Sequence, residues 1–246
     1  MALRRTRDEP YSDAWERAAL SSTRSWGHLT HVELERLLEQ ARRFDRSRRW
    51  EGLDNLVISD EMRSVVSTHA CLLTVNIDER VLSDVTTIII APSSVVRRAH
   101  QDAGGSMVSE GVVCILGEAA MHGPVRFAWD QIVAERPIGN AKTSVLIHEF
   151  AHKVDMSDGF ANGIPPIRDR ETALRFQDAA SAALDQLRST SGHSPLDMYA
   201  AVNESEFFAV ATEAFFLDAS ALRAHHEALY REMAAFYRQD PAADHH

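Results

Sequence analysis

Two histidines and a glutamate lie close together in the sequence VLIHEFAHKVD, at residues 145–155. His148 and His152 are four residues apart, so on an α-helix they lie on one face, one turn above the other. Two imidazoles placed in this way can bind one zinc ion, and Glu149 can reach a water bound to that ion. The pattern predicts a zinc site with hydrolytic chemistry. The alternative is an ordinary surface helix that carries two solvated histidines.

A zinc site of this kind needs a third protein ligand from elsewhere in the chain. The segment NESEFFAVATEAFF, at 203–216, predicts a helix with three glutamates among large apolar residues. Glu206 and Glu213 are seven residues apart and share a face, and a buried carboxylate needs a partner such as a metal or a histidine N–H. Glu204 is better explained as a first-turn charge favoured by the helix dipole. The residues considered for this ligand are Asp155, Asp158, His193, Glu204, Glu206 and Glu213.

The elements that must position these residues follow from the patterning of the chain. Helices are predicted at 13–50, 59–75, 140–155, 169–190, 204–218 and 221–238. Thr30 with Glu33 forms a predicted capping box, Ser59 is a second N-cap, and Asn140 or Thr143 can cap the HExxH helix. Strands are predicted in VTTIIIAP, GVVCILGEA and GPVRFAW. This order predicts an α+β fold, mostly helical with a small mixed β-sheet.

The domain organisation is predicted from length and composition. The chain has 246 residues, of which 45% are hydrophobic, enough for one sizeable core. We expect a disordered N-terminus (1–12), a single domain (13–240) and a tail (241–246). Within the domain we expect a helical part (13–70), a sheet part (71–135) and a helical metal-binding part (140–240).

The charge and the cysteines exclude some classes of function. A net charge of −10 disfavours nucleic acid and anionic membranes as partners, since both need a basic face. Cys71 and Cys114 lie in apolar runs and are expected to be buried thiols. No apolar run approaches the roughly 18 residues that a membrane helix needs, so we expect a cytoplasmic protein. The histidines expected not to bind metal are His28, His31, His69, His100, His122, His225 and His226, of which the last two are expected to be solvated.

Two stretches, HEFAHKVD at 148–155 and YAAVNESEFFAVATEAFF at 199–216, resemble the Mlc titration factor A family of zinc peptidases. That family is similar to the catalytic core of the lethal-factor toxin protease. WEGLDNLVISDEMRSVVSTHACLL, LGEAAMHGPV and FAWDQI match as well, so the resemblance covers residues 14–240. It implies a zincin-like metallopeptidase fold with Zn²⁺ as cofactor. It also implies His148, His152 and Glu206 as metal ligands and Glu149 as general base.

The resemblance implies further roles around the metal. Tyr199 matches a tyrosine that can donate to the oxyanion, and Glu213 becomes a partner that holds a histidine ligand by its other ring nitrogen. Asp155 could do the same, or could be a turn residue bonded to nearby backbone. The chain departs from the family pattern at Ala214, where an aromatic is usual, and at Ala120, where a tryptophan is common. Both changes could alter the shape of the substrate pocket.

Three functions are consistent with these residues. The first is a zinc metallopeptidase acting on a peptide or protein, with aminopeptidase action left open. The alternative is a non-catalytic or latent regulatory protein that sequesters a transcriptional repressor, as the family's name suggests. Glu149 favours the enzyme, because a binding protein needs no general base. A structural zinc is disfavoured, since such sites usually fill four positions with Cys or His.

The sequence also suggests where a substrate could lie. Residues 124–129 are expected to be a strand beside the metal helix, either as a free edge that pairs with an extended substrate or as an internal strand. The segments 156–167 and 189–199 flank the metal helix and its third ligand, and either could act as a lid.

Overall fold

The computed structural model describes residues 10–23, 26–93, 118–119, 123–135, 143–189 and 194–243. Over these ranges the chain is mostly helical, with one small sheet. The α-helices are α1 (Asp13–Thr23), α2 (His31–Ser47), α3 (Asp60–Thr74), α4 (Trp129–Glu135), α5 (Val145–Asp155), α6 (Arg170–Ser189), α7 (Glu204–Leu217), α8 (Ala219–His225) and α9 (Glu227–Tyr237). The strands are β1 (Arg49–Gly52), β2 (Thr87–Ala91), β3 (Glu118–Ala119) and β4 (Val125–Ala128). Short 3-10 helices cover Glu79–Leu82, Met156–Asp158 and Met198–Ala201.

The described strands form a mixed sheet in the order β1-β2-β4-β3. β1, β2 and β4 are parallel, and β3 runs antiparallel to β4. The predicted mostly helical fold with a small mixed sheet is therefore confirmed. β4 lies between β2 and β3, which pairs with it at Val125 and Arg126, so the free-edge alternative is wrong at these two residues. Trp129 belongs to α4 rather than to the strand.

Local capping signals are confirmed where the cap side chain acts within its own helix. The Glu33 N–H donates to Thr30 Oγ1, and the Thr30 N–H donates back to a Glu33 carboxylate oxygen at 2.8 Å. Ser59 caps α3 by accepting from the N–H of Met62. Such bonds need only neighbouring residues, so the sequence is sufficient to place them.

Three predicted helix boundaries are wrong. The first helical region ends at Ser47, and β1 follows it because residues 49–52 pair with β2. The last predicted helix is two helices, α8 and α9, separated at His226, whose backbone (φ −137°, ψ 59°) is not helical. The metal helix begins at Val145 with Ser144 as its cap, not Thr143, and Asn140 lies outside the described residues.

Helix α5 runs through the core, where it contacts α3, α7, β3 and β4. Every residue of α5 except His148 is buried. Phe150 packs against Phe44 of α2 and Phe127 of β4, with ring centroids 5.9 and 5.7 Å apart. The alternative of a surface helix with two solvated histidines is therefore wrong. A core position fixes the metal-binding side chains, because close packing leaves the backbone little freedom.

Other expectations fall on both described and undescribed parts of the chain. Cys71 is a buried thiol as predicted, and burial raises its pKa. Cys114, residues 1–9 and residues 244–246 lie outside the described residues. Ala242, which belongs to the predicted tail, is buried, and its N–H donates to the Tyr230 hydroxyl at 2.9 Å.

Among the described helices none is long and apolar enough to cross a bilayer.

Candidate metal centre

Three ligand atoms from two helices converge at one point. The Nε2 atom of His148 lies 3.1 Å from Glu206 Oε2, and the Nε2 atom of His152 lies 3.5 Å from the same oxygen. The two Nε2 atoms are 3.2 Å apart, and all three ligand atoms lie within 4.8 Å of one another. Two imidazoles and one carboxylate are a donor set of catalytic zinc sites. The residues therefore fit a single divalent ion.

The N-terminal ends of α5 and α7 bring the histidines and the glutamates together. Asn203 caps α7 by accepting from the Glu206 N–H at 2.9 Å, which places Glu206 in the first turn. Two turns further on, Glu213 Oε1 lies 2.8 Å from His148 Nδ1. The other Glu213 oxygen accepts the Ser144 N–H at 2.6 Å. Glu206 and Glu213 thus face α5 together, with Glu206 on the metal side of the imidazole and Glu213 behind it.

Opposite charges act strongly across this centre. Burial alone would lower the pKa of His148, but its hydrogen bonds to Glu206 and Glu213 raise that pKa to about 10. Burial would raise the pKa of Glu206, but the hydrogen bond from His148 and the positive charge of that imidazole lower it to about 2. Without a metal, His148 is therefore an imidazolium held between two carboxylates. A cation bound to neutral imidazoles would take over that positive charge.

His152 has a different supporting partner from His148. Its Nδ1 atom lies 3.1 Å from Ser205 Oγ, and Ser205 Oγ donates to Asp155 Oδ2 at 2.8 Å. The other Asp155 oxygen accepts the Gly163 N–H at 2.9 Å. Burial raises the pKa of Asp155, although its hydrogen bonds from Ser205 and Gly163 act in the opposite direction. Asp155 thus binds backbone, as one of the two alternatives expected, and it reaches His152 only through the Ser205 hydroxyl.

Ser205 and Ser144 were not among the residues singled out by sequence. Ser205 lies between two glutamates in the first turn of α7, where a serine has many ordinary roles. Ser144 contributes its backbone N–H to Glu213 and its side chain to the cap of α5. The Ser144–Glu213 and Ser205–His152 contacts join residues more than fifty positions apart in the chain, so no local pattern could have found them. The cap that Ser144 makes with the Ile147 N–H spans three positions, and a serine just before the helix is a local signal for it.

Glu149 and Tyr199 border the same centre. Glu149 is buried, with 5% of its surface exposed, and its charge helps to raise the pKa of His148. Tyr199 is half exposed, and its ring centroid lies 6.2 Å from that of His148. Burial raises the pKa of Tyr199, as do the charge of Glu206 and the hydrogen bond to it. A buried carboxylate and a phenol hydroxyl thus lie beside the candidate ligands.

The remaining candidate ligands stay away from this cluster. Asp158 and Glu204 are exposed, and His193 lies outside the described residues. Of the other described histidines, His28 contacts Gln239, His31 contacts Glu35 and His69 contacts the Val65 carbonyl. His100 and His122 lie outside the described residues, and His225 is exposed.

The expectation that His226 is solvated is wrong. Only 7% of its surface is exposed, and burial lowers its pKa. It lies at the break between α8 and α9, which patterning had placed within one continuous helix. The side chain therefore enters the packed junction between two helices instead of pointing from one helix into solvent.

Comparison with known proteins decides the family. Residues 1–238 match the family described as glucose-regulated metallo-peptidase M90. The chain belongs to the M90 family. Mlc titration factor A of Yersinia pestis is 30% identical over 223 residues, which cover 87% of this chain and 81% of the relative, and the protein of the same name from Yersinia pseudotuberculosis gives the same figures. An uncharacterised protein of Synechocystis is 29% identical over 220 residues, which cover 88% of this chain and 80% of the relative.

The M90 assignment agrees with the geometry of the centre. The predicted resemblance to the Mlc titration factor A family is confirmed over nearly the whole chain. A metallopeptidase family needs a metal site, and among the described residues one group of His, Cys, Asp and Glu has that geometry, namely His148, His152 and Glu206.

Proposed function

We propose that this M90 protein is a zinc-dependent metallopeptidase of zincin-like fold that hydrolyses peptide bonds. The observation that carries the proposal is the position of Glu149, a buried carboxylate next to His148 on the helix whose two histidines converge with Glu206. Zinc is proposed because imidazole and carboxylate donors with only three protein ligands are typical of catalytic zinc sites. A site that served only to stabilise the fold would not need Glu149.

Each residue then has a defined chemical task. Bound zinc would polarise the peptide carbonyl and lower the pKa of a bound water toward about 7. Glu149 accepts the proton of the attacking water and passes it to the leaving amine. The Tyr199 hydroxyl donates a hydrogen bond to the oxyanion. Glu213 holds His148 by its Nδ1 atom, which leaves Nε2 for the metal.

A peptide substrate fits the surroundings of this centre. Among the described strands β3 is the outermost on its side of the sheet, and it contacts α5. An extended peptide could add to such a strand by backbone hydrogen bonds. Met198, Tyr199 and Val202 are 63%, 52% and 61% exposed in and beside one short 3-10 helix. An apolar surface of this kind suits the side chains of a peptide better than a small polar ligand.

A second candidate function is the sequestration of a transcriptional repressor. It is favoured by the name of the Yersinia relatives, Mlc titration factor A, which implies that those proteins interact with Mlc. The two functions are compatible, since a peptidase can also bind a protein at its surface. A purely binding role leaves Glu149 without a task, so we place the peptidase first.

The proposal is tested by measuring zinc content and peptide hydrolysis together, on the native chain and on Glu149→Gln. The peptide panel contains free and blocked N-termini, which separates aminopeptidase from endopeptidase action. We expect one zinc per chain in both proteins and a turnover loss of about 10²–10⁴-fold in the variant. Glu204→Gln, an exposed carboxylate on α7, is the matched control and should keep full turnover.

The other outcomes each decide between the functions. Full turnover by Glu149→Gln would contradict the mechanism. Zinc without turnover in the native protein would favour the repressor-binding candidate, which is then tested by co-purification with a repressor of the Mlc type. A native protein without zinc affinity would refute the metal centre.

A further inference from the structure

The second histidine ligand is supported by a hydroxyl, and the direction of its hydrogen bonds can be worked out. Asp155 is fully buried, and its two oxygens accept from Ser205 Oγ and from the Gly163 N–H. A carboxylate only accepts, so the single hydroxyl proton of Ser205 is used on Asp155. Toward His152, Ser205 Oγ can then act only as an acceptor. The bond at 3.1 Å must be donated by His152 Nδ1–H.

This direction determines the tautomer of His152. A neutral imidazole carries one proton, and the nitrogen that lacks it has the lone pair that binds metal. With the proton on Nδ1, the lone pair lies on Nε2. That is the atom which lies 3.2 Å from His148 Nε2 and 3.5 Å from Glu206 Oε2. The hydroxyl therefore aims the correct nitrogen at the other two ligands.

The same chain of bonds reaches a turn outside both helices. Gly163 has a positive φ of 74°, and a Cβ at this position would lie 2.2 Å from the Glu204 carbonyl oxygen. The turn is thus pressed against the first residue of α7, immediately before Ser205. Its N–H holds Asp155, Asp155 orients Ser205, and Ser205 orients His152.

We propose that Ser205 is a positioning residue that fixes His152 as the Nδ1–H tautomer for metal binding, as the middle member of a Gly163–Asp155–Ser205–His152 relay. The relay is distinct from the direct carboxylate contact of Glu213 with His148. It rests on the metal centre of the proposed function, but not on peptidase activity.

The test measures zinc affinity by competition with a chromogenic chelator, and the His152 tautomer by ¹⁵N-histidine NMR of the zinc-free protein. Ser205→Ala should lose about 10–100-fold in zinc affinity, the usual effect of removing such a partner. Ser205→Thr keeps the hydroxyl and should restore most of the affinity. In Asp155→Asn the amide can donate to Ser205, which frees the hydroxyl proton for His152. We expect this variant to populate the Nε2–H tautomer and to bind zinc more weakly.

Ser157→Ala is the matched control. Its hydroxyl lies just beyond the same end of α5 but donates to the Val154 carbonyl at 2.8 Å, so zinc affinity should not change. Native affinity and an unchanged tautomer in Ser205→Ala would overturn the relay while leaving the peptidase proposal intact. A fall in both zinc affinity and zinc-free melting temperature that Ser205→Thr does not restore would make Ser205 a packing residue, which also overturns it. If the native chain bound no zinc, the proposed function would fail, and the NMR tautomer would still confirm or overturn the role of Ser205.

Discussion

Glu213 connects His148 to the start of the helix that carries it. One carboxylate oxygen lies 2.8 Å from His148 Nδ1, and the other accepts the Ser144 N–H at 2.6 Å. The same side chain therefore orients a candidate metal ligand and satisfies a backbone donor that precedes α5. One side chain thus links the start of α5 to the orientation of the imidazole.

We predict that Glu213→Gln weakens zinc binding by about 10–100-fold. An amide has one acceptor oxygen where the carboxylate has two, so one of the two bonds, to His148 or to Ser144, is lost. The measurement is a competition titration against a chelator of known affinity. Glu204→Gln on the same helix controls for the loss of one negative charge, and equal affinities in the two variants would show that Glu213 does not hold the imidazole.

Zinc binding should release a proton from His148. Its pKa is raised to about 10 in the metal-free fold, so at neutral pH the imidazole is protonated and zinc must displace that proton. Because zinc competes with this one proton, the apparent zinc affinity should rise by about tenfold per pH unit. The rise should level off above about pH 10. Calorimetry in buffers of different ionisation enthalpy counts the protons released. If the apparent zinc affinity of the protein did not change between neutral pH and pH 9, the raised pKa of His148 would be contradicted.

The same pKa shift gives a stability prediction for the metal-free protein. The folded-state pKa of His148 lies above its ordinary value of 6.5, so its ion pairing stabilises the fold fully below about pH 6.5. This contribution is lost as the pH rises through about 10. Urea unfolding of the metal-free protein should therefore show stability falling across that range, and His148→Gln should flatten this part of the profile.

Tyr199→Phe should lower kcat and leave KM and zinc content nearly unchanged. The ring that lies over His148 is kept, and only the hydroxyl that reaches Glu206 is lost. If this hydroxyl donates to the oxyanion, its removal costs roughly 10²-fold in kcat. Steady-state kinetics on the best peptide of the panel measure the effect. A change in KM alone would instead assign Tyr199 to substrate binding.

Gly163→Ala should destabilise the protein more than Gly159→Ala. Both glycines have positive φ angles, 74° and 95°, so each alanine costs about 1–2 kcal/mol in backbone strain. At Gly163 the new Cβ also meets the Glu204 carbonyl oxygen, whereas at Gly159 nothing lies within 4 Å. We expect a loss of about 3 kcal/mol in the free energy of unfolding for Gly163→Ala. Equal losses, measured by urea unfolding, would refute the close approach to α7.

Local chemistry explains what could be predicted about the fold. The capping box of Thr30 and Glu33 and the cap at Ser59 depend on residues three positions apart, and both were predicted. The run of β-branched residues before Pro92 predicted β2, because the composition of a strand is also a local property. The pairing partners of a strand are not local, so helical periodicity extends over β1 and the sequence leaves open whether β4 is an edge or an internal strand.

The sequence by itself determined that His148 and His152 share a face and that Glu206 and Glu213 share another, because helical periodicity is a property of the chain's own geometry. Periodicity could not choose between the two glutamates, and the resemblance implied Glu206; the tertiary structure brings Glu206 beside both Nε2 atoms, because that depends on where α7 packs along α5. The tertiary structure also decided that Ser205 stands between Asp155 and His152. Hydrogen bonds between residues about fifty positions apart arise from packing, and packing is set by the whole core rather than by any one segment.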